Sequence, residues 1–531
     1  MFLNHLRSKM SLFSTFCSFL GLLIASTSAF SPPKYSTCIS KDFGHGGTVC
    51  VCSEKDCDSF SEGSPLSTKE YAVYTSRKAG DRFRLTTARL NNSFNLKSKQ
   101  TGVQLIVNSS VTFQKILGFG GAFTDAATIN IQNISTTLKQ KLLSSYYSVE
   151  GIEYAIGRIP MASCDFSTRP YSYNDNVGDL EMANFSLAEE DLNFKIPLIL
   201  MAMKTSKRNI TFFGSPWSAP AWMKTNDKMT GFGQLKGNAG DKYHKAWALY
   251  FAKFIEAYND KGVKIWAVTV QNEPSDGFIP FFSFQCMGYT AEMERDFIKE
   301  DLGPMLSLQG HADVKIIMLD DSRPFLPSWV DTILSDPGAA KYVAGIGVHW
   351  YEDKYMPAKV LTDAHNRFPD QFILATEACA DPQTSKPPRV SLGDWSRGNQ
   401  YSHSIIEDLS NWSVGWVDWN LALNMEGGPN WVKNFVDSPI IVDAENGVFY
   451  KQPMFYHLGH FSKFVPPGSQ RIEVKASEES ALQFIGFITP DSLMVVIVLN
   501  TEDQEIALQI HSEDGVINET VPPSSIQTYI C

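Results

Sequence analysis

Between Lys115 and Trp419 the chain repeats one pattern, a short and nearly continuous apolar run followed by a stretch long enough for an amphipathic helix. The runs are Lys115 to Phe119, Tyr154 to Ile159, Ile210 to Ser215, Ile265 to Val270, Val314 to Leu319, Ala344 to His349, Gln371 to Ala375 and Gly415 to Trp419. Continuous apolar character marks strands buried on both faces. Segments between them, such as Thr136 to Ser148, Asp241 to Asp260 and Ala291 to Leu306, can supply the crossover helices that parallel neighbours need. Such a succession of βα steps predicts an α/β fold built on a (β/α)8 TIM barrel, with its chemistry at the carboxyl ends of the strands.

The fourth run reads KIWAVTVQNEPS, residues 264 to 275, and stops at Asn272, Glu273 and Pro274. Proline cannot donate to a strand ladder, so Glu273 falls at the strand's carboxyl end. Alone, such a residue is as readily a loop cap as a catalyst. The seventh run supplies a partner, passing from Phe372–Ala375 into Thr376 and Glu377. Two carboxylates at the ends of strands four and seven can face each other across a barrel mouth with a glycosidic bond between them, as glycoside hydrolysis requires. Other strand ends carry Arg158, Trp217, Asp320, Asp321, His349, Trp350, Tyr351, Trp419 and Asn420. Taken singly, Arg158 and Asp320 read as a structural ion pair, His349 as a bonded core residue and the tryptophans as packing. Gathered at one mouth, aromatic faces and polar side chains make a sugar site.

Flanking the barrel, Arg82 to Leu90 and Val103 to Val111 alternate as antiparallel strands do, and alternation returns after Pro466, Pro467 and Gly468. The later strands are Arg471 to Val474, Leu482 to Phe487, Leu493 to Leu499, Ile506 to Ile510 and Ile526 to Ile530. An isolated strand pair is marginal, so the early strands are expected to join the tail in one discontinuous β-sandwich.

Residues 1–29 carry Arg7 and Lys9, an apolar run from Leu12 to Ile24 and small residues up to Ala29, the pattern of a secretory signal. No later segment is apolar over about 18 residues, so the mature chain should meet a membrane only from outside. Acceptor sequons at Asn91, Asn108, Asn133, Asn184, Asn209, Asn411 and Asn518 agree with a lumenal or secreted chain. Cys38, Cys50, Cys52 and Cys57 read as two disulfides with three possible pairings. A zinc site using His45 competes with that reading, but the spacing lacks a Cys-x-x-Cys step. A net charge of -11 argues against nucleic acid as a partner and fits an acidic compartment.

The stretches MASCDFSTRPYSY (161–173), SPWSAPAWMKTN (215–226), QNEP (271–274), VHWY (348–351), ATEAC (375–379), RGNQYSHSII (397–406), GWVDWNLALNMEGGPNWVKNFVDSPIIVD (415–443) and YKQPMFYHLGHFSKF (450–464) closely resemble the lysosomal acid β-glucosidases, the glucosylceramidases of glycoside hydrolase family thirty. The resemblance runs from about Cys38 into the C-terminal sandwich. It implies a retaining hydrolysis of glucosylceramide in the lysosome, without cofactor or metal, with Glu273 as acid/base and Glu377 as nucleophile. It places Asp165, Trp217, Asn272, Trp419 and Asn434 around glucose, Phe166, Phe282, Phe284 and Tyr351 near the aglycone, and Arg158 and His349 behind the carboxylates. For that division of labour Glu273 should hold a proton and Glu377 should be ionised. The resemblance also implies a membrane surface with anionic lipid and a saposin-type activator as partners, and leaves the oligomeric state open. It divides the chain into a small sheet domain (30–66 with 421–452), the sandwich (67–113 with 469–531) and the barrel (114–420 with 453–468). Gln271, Phe282 and the terminal Cys531 depart from the family's pattern. The competing readings are a same-fold β-glycosidase acting on another aglycone, such as a sterol or plant glucoside, and a non-catalytic carbohydrate-binding protein.

Overall fold

The structure, a computed structural model, describes residues 37–60, 67, 69–91, 102–380 and 389–531. The expected signal, 1–29, lies outside the described residues. Gly118–Ala122, Ile156–Met161, Thr211–Pro216, Ile265–Thr269, Lys315–Ser322, Val343–His349, Phe372–Glu377 and Ser413–Asn420 are the strands of a closed parallel barrel, the last pairing with the first. Each expected run is therefore a barrel strand, but the first begins later than its apolar pattern indicates. Lys115 is taken instead by the long strand Val103–Lys115, where it pairs with Gln470 in the other sheet. Gly120 suits the crowded first strand, because a Cβ there would come 1.9 Å from the Ile156 carbonyl oxygen. Ile156, Phe213, Ala267, Ile317, Leu374 and Val417 pack together as a buried cluster of barrel-strand side chains.

The expected helices form with local signals that fix their starts. Ser135 accepts from the Leu138 amide ahead of Thr136–Tyr147, and Asp241 accepts from Tyr243 and His244 ahead of Lys242–Asp260. The third is interrupted: Ala291–Phe297 passes through a π turn, Ile298–Leu302, before Gly303–Leu308. Pro304 has no amide to donate within that segment, and the widened turn absorbs the missing bond.

The other large sheet runs Gly515–Val521, Ile506–Ser512, Val103–Lys115, Gln470–Ala476, Gln483–Ile488, Met494–Asn500, Ser525–Ile530, Glu70–Arg77 and Arg84–Arg89. Early and late segments of the chain thus share one sheet, as the marginal stability of a lone pair demands. The pattern did not single out Glu70–Arg77 or Gly515–Val521. Glu70–Arg77 is buried from Tyr71 to Ser76 and so shows no alternation.

A small sheet joins Ser40–Asp42, Thr48–Cys52, Val448–Lys451, Ile440–Asp443 and Leu423–Asn424. Cys38 pairs with Cys50 and Cys52 with Cys57, which commits the four thiols and removes the zinc reading. Among the sequons, Asn91, Asn133, Asn184, Asn209 and Asn518 are exposed, whereas Asn108 and Asn411 are half-buried. The Asn411 side chain donates to the Glu407 carbonyl at 2.9 Å and accepts from Thr362 at 2.8 Å. Among the described residues no helix is long and apolar enough to cross a membrane.

Candidate active site

At the end of the fourth strand the backbone of Glu273 turns into the left-handed region, with φ of +43°, and its amide donates to the Asp320 carbonyl at 2.9 Å. Asp320 is left-handed too, at +58°. Positive φ in non-glycine residues is strained, and such strain gathers where side-chain placement matters. One bend braces the other.

Oxygens of Glu273 and Glu377 and a ring nitrogen of His349 all lie within 4.8 Å of one another. Behind them Arg158 is fully buried. It pairs with Glu377 through Nη1 and with Asp320 through Nη2 at 2.9 Å, donates to Asn272 Oδ1 at 2.8 Å and to Ser215 Oγ at 3.1 Å. Its guanidinium also lies over the rings of Trp217 and Trp419, 5.0 and 5.4 Å from their centroids. Tyr351 donates its hydroxyl to Glu377 at 2.6 Å. His349 bridges Glu273, at 3.0 Å from Nδ1, and Asp320, at 3.1 Å from Nε2. Asp320 also accepts from Thr376 at 2.6 Å.

Burial opposes a charge on His349, but Glu377, Asp320 and Glu273 outweigh it and push the imidazole up to about 10, so it is a cation. Against the cost of burial, Arg158, His349 and Thr376 hold Asp320 far below the usual carboxylate range. Glu273 and Glu377 depart from the expected division. Burial lifts Glu273, but hydrogen bonds with His349 and Asp276 overcome it and pull the carboxyl below its ordinary value. Burial and the charge of Glu273 keep Glu377 above its own, against Arg158, His349 and Tyr351. His349 does most of the lowering on Glu273, and a neighbour that strand-end reasoning passed over adds to it: Asp276, at the start of the short turn Asp276–Phe278, shares a side-chain hydrogen bond with Glu273.

In front of the carboxylates lies a cavity of about 180 Å³, lined by Asp165, Phe166, Trp217, Glu273, Phe284, Tyr351, Glu377, Cys379, Trp419, Asn434 and Val436. Its volume falls below the usual range for drug-sized ligands, so it suits one sugar ring rather than a chain. Trp217 and Trp419 stack at 5.1 Å, and Phe166 meets Trp419 edge-on at 6.0 Å. Asp165 accepts from Asn430 and Asn434, both at 3.1 Å, and burial pushes it up to about 7. Among the candidate residues, Phe282 stays out of the wall and touches it through Phe284, 4.4 Å away ring to ring. Asn272, Arg158 and His349 also stand behind the lining. Cys379, Val436 and Asn430 lay inside recognised motifs but carried no chemical signal of their own. A second cavity, of about 770 Å³, opens beside Glu273 and Tyr351 and is lined by Asp276, Phe278, Ile279, Phe325 and Trp329, among others.

The sequence model of the glycosyl hydrolase family 30 TIM-barrel domain matches residues 116–465, and that of the family 30 beta sandwich domain matches 468–529. Lysosomal acid glucosylceramidase of Mus musculus is 50% identical over 93% of this chain and 95% of its own. Putative glucosylceramidase 4 of Caenorhabditis elegans is 43% identical over 91% and 93%. Among solved structures, SrfJ from Salmonella typhimurium superposes with a TM-score of 0.79 at 28% identity, over 87% of this chain and 99% of that one. A barrel with two facing strand-end carboxylates, matched by the family's models through both the barrel and the sandwich, leaves one assignment: the chain belongs to glycosyl hydrolase family 30.

Proposed function

We propose that the protein is a retaining exo-β-glucosidase that hydrolyses glucosylceramide to glucose and ceramide in the lysosome. The observation that carries the reading is the closeness of Glu273 and Glu377, whose oxygens lie within 4.8 Å at the floor of a one-ring cavity. Retaining enzymes hold their carboxyl groups about 5 to 5.5 Å apart, whereas inverting enzymes need about 6.5 to 9.5 Å to admit a water. The choice of glucosylceramide rests on the 50% identity to the mouse lysosomal enzyme.

In this reading Glu377 attacks the anomeric carbon, and the bond from that carbon to the ceramide oxygen breaks as Glu273 gives that oxygen its proton. Water then adds to the glycosyl-enzyme ester, losing its proton to Glu273 and freeing both glucose and Glu377. Arg158 and Tyr351 steady the nucleophile as an anion. Trp217, Trp419 and Phe166 offer faces to the sugar's CH groups, while Asp165, Asn434 and Asn272 take its hydroxyls. Phe284, Phe282 and Tyr351 flank the leaving group. The boundaries 30–66 with 421–452, 67–113 with 469–531 and 114–420 with 453–468 belong to the same proposal. So do the signal at 1–29, the anionic membrane surface and a saposin-type activator.

An activated 2-fluoro-glucoside should label Glu377 covalently, and Glu377→Gln should lose glucosylceramide hydrolysis by about 10³-fold or more. Full activity in that variant would end the reading. Comparable labelling together with much faster cleavage of soluble steryl glucosides than of glucosylceramide vesicles would keep the mechanism and change the aglycone.

A further inference from the structure

Asp276 follows Glu273 by one short turn. Its amide donates to the Glu273 carbonyl at 3.0 Å, its carboxyl is hydrogen-bonded to that of Glu273, and both residues line the 770 Å³ cavity beside the sugar site. Two carboxyl groups can share a hydrogen bond only when one of them carries a proton. Around Asp276 stand Glu273 and Asp321 as like charges, His349 as the facing cation, and Cys286 with Lys224 behind it. Asp321 is itself anchored away from the pair, accepting from the amides of Ser275 at 3.1 Å and Ser322 at 2.6 Å. Among the described residues no basic side chain lines this edge of the cavity, and His349, the one cation facing the pair, bonds to Glu273 and offsets a single negative charge, so two carboxyls in contact still need a proton between them. Resting on the reading of Glu273 as acid/base, we propose that Asp276 is a positioning residue that shares one proton with Glu273 and returns it when the leaving group departs.

Burial, with Glu273 and Asp321 adding to it, pushes Asp276 up to about 10, so the pair keeps its proton through the neutral range. Together with the His349 cation, this accounts for the unexpected direction of Glu273. The carboxylate on Glu273 is matched by the protonated carboxyl bonded to it, and one transfer, from the Asp276 oxygen to the Glu273 oxygen, makes Glu273 the acid. The same transfer removes the negative charge that adds to burial in lifting Glu377, leaving Arg158, His349 and Tyr351 to hold the nucleophile ionised. As the glycosidic bond breaks, the proton passes to the aglycone oxygen and both members of the pair are anions. Their repulsion then favours taking a proton from the incoming water, which is the second step.

The test compares kcat/KM for an alkyl glucoside, whose departure needs an acid, with that for a dinitrophenyl glucoside, whose departure does not. In Asp276→Asn a hydrogen-bond donor remains but no shared proton. The basic limb of the alkyl-glucoside profile should move at least about one pH unit toward acid, and the alkyl to dinitrophenyl rate ratio at pH 7 should fall about tenfold. Asp276→Glu should recover most of that ratio. Covalent labelling at Glu377 with full stoichiometry reports that the variant is folded. Superimposable profiles for wild type and Asp276→Asn would overturn the proposal, as would an equal loss on both substrates, which marks a merely structural role. Glu273→Gln is run alongside: if its losses do not depend on the leaving group, the acid/base reading itself falls, whatever Asp276 does.

Discussion

Replacing Arg158 with methionine removes the buried guanidinium that pairs directly with the nucleophile while keeping much of the side chain's bulk. The guanidinium is fully buried and serves Glu377 and Asp320 together. Unit charges about 4 Å apart at an effective dielectric of about 20 interact by about 4 kcal/mol, which is about three pH units on the carboxyl involved. His349 and the Tyr351 hydroxyl remain, so a rise of one to three units is expected for Glu377. The acidic limb of kcat/KM reports loss of the ionised nucleophile, and Arg158 lowers that group. Its removal should therefore move the limb to higher pH, leaving little activity at pH 5. Stability should fall as well, by about 3 to 5 kcal/mol, because Asp320 is left buried with only His349 as a charged partner. The assays are a pH–rate profile on a soluble aryl glucoside and thermal unfolding at pH 5. Adding Asp320→Asn should recover part of the stability but none of the shift in the limb. An acidic limb that stays in place, with stability within about 1 kcal/mol of wild type, would refute the account of Arg158 as the group that holds Glu377 ionised.

Asn272→Ala should lower kcat about 10- to 100-fold with a smaller change in KM, because Arg158 occupies Asn272 Oδ1 while Nδ2, which donates one long hydrogen bond to Glu273 at 3.5 Å, has a second hydrogen for a sugar hydroxyl; a change confined to KM would contradict this. Unfolding temperature should peak on the acid side and fall as pH rises from about 4 to 7. Asp165, lifted from 3.8 to about 7, contributes roughly 4 kcal/mol that is complete only below its unfolded value, and Asp321 acts in the same direction. His349, raised to about 10, contributes fully below about 6.5 and loses that contribution as pH climbs through 10. A maximum at neutral or alkaline pH would contradict these signs. Glycopeptide mass spectrometry should find sugar on Asn133, Asn184, Asn209 and Asn518 and none on Asn411, whose side chain is engaged at both ends.

The barrel was legible because burial on both faces writes a parallel strand as a continuous apolar run, and eight of those leave few other ways to fold. Glu273 and Glu377 were legible because each interrupts such a run at the end where barrels keep their chemistry. What periodicity could not supply was anything made by contact between distant segments. The small sheet unites residues around 48 with others around 448, and the cysteine spacing left its pairings open. The start of the first barrel strand depended on Lys115 being claimed by Gln470. Asp276 sits in a turn, where an aspartate is ordinary, and only its position against Glu273 gives it chemical meaning.

That contact also changes how the whole site is understood. Glu273, Asp276, Asp320, Asp321, Glu377 and Asp165 crowd the mouth, and among the described residues Arg158 and His349 are the cations set against them. A glucose ring is neutral and cannot offset the excess. Much of the balance must come from protons, and the upward directions of Asp165, Asp276 and Asp321 mark where they go, while Arg158 and the Tyr351 hydroxyl keep Glu377 an anion. Two further acids stay below their ordinary values: Asp320, which shares Arg158 with Glu377 and His349 with Glu273, and Glu273, which is relieved by His349 and by its neighbour. An acidic medium therefore lowers the cost of packing so many carboxyls against one sugar, while the Asp276 pair keeps its own proton at hand beside the glycosidic oxygen. The stability of the fold is thus set by Asp165 and Asp321, which lose their protons near neutrality, whereas the acid's proton is held by the Asp276 pair beyond it.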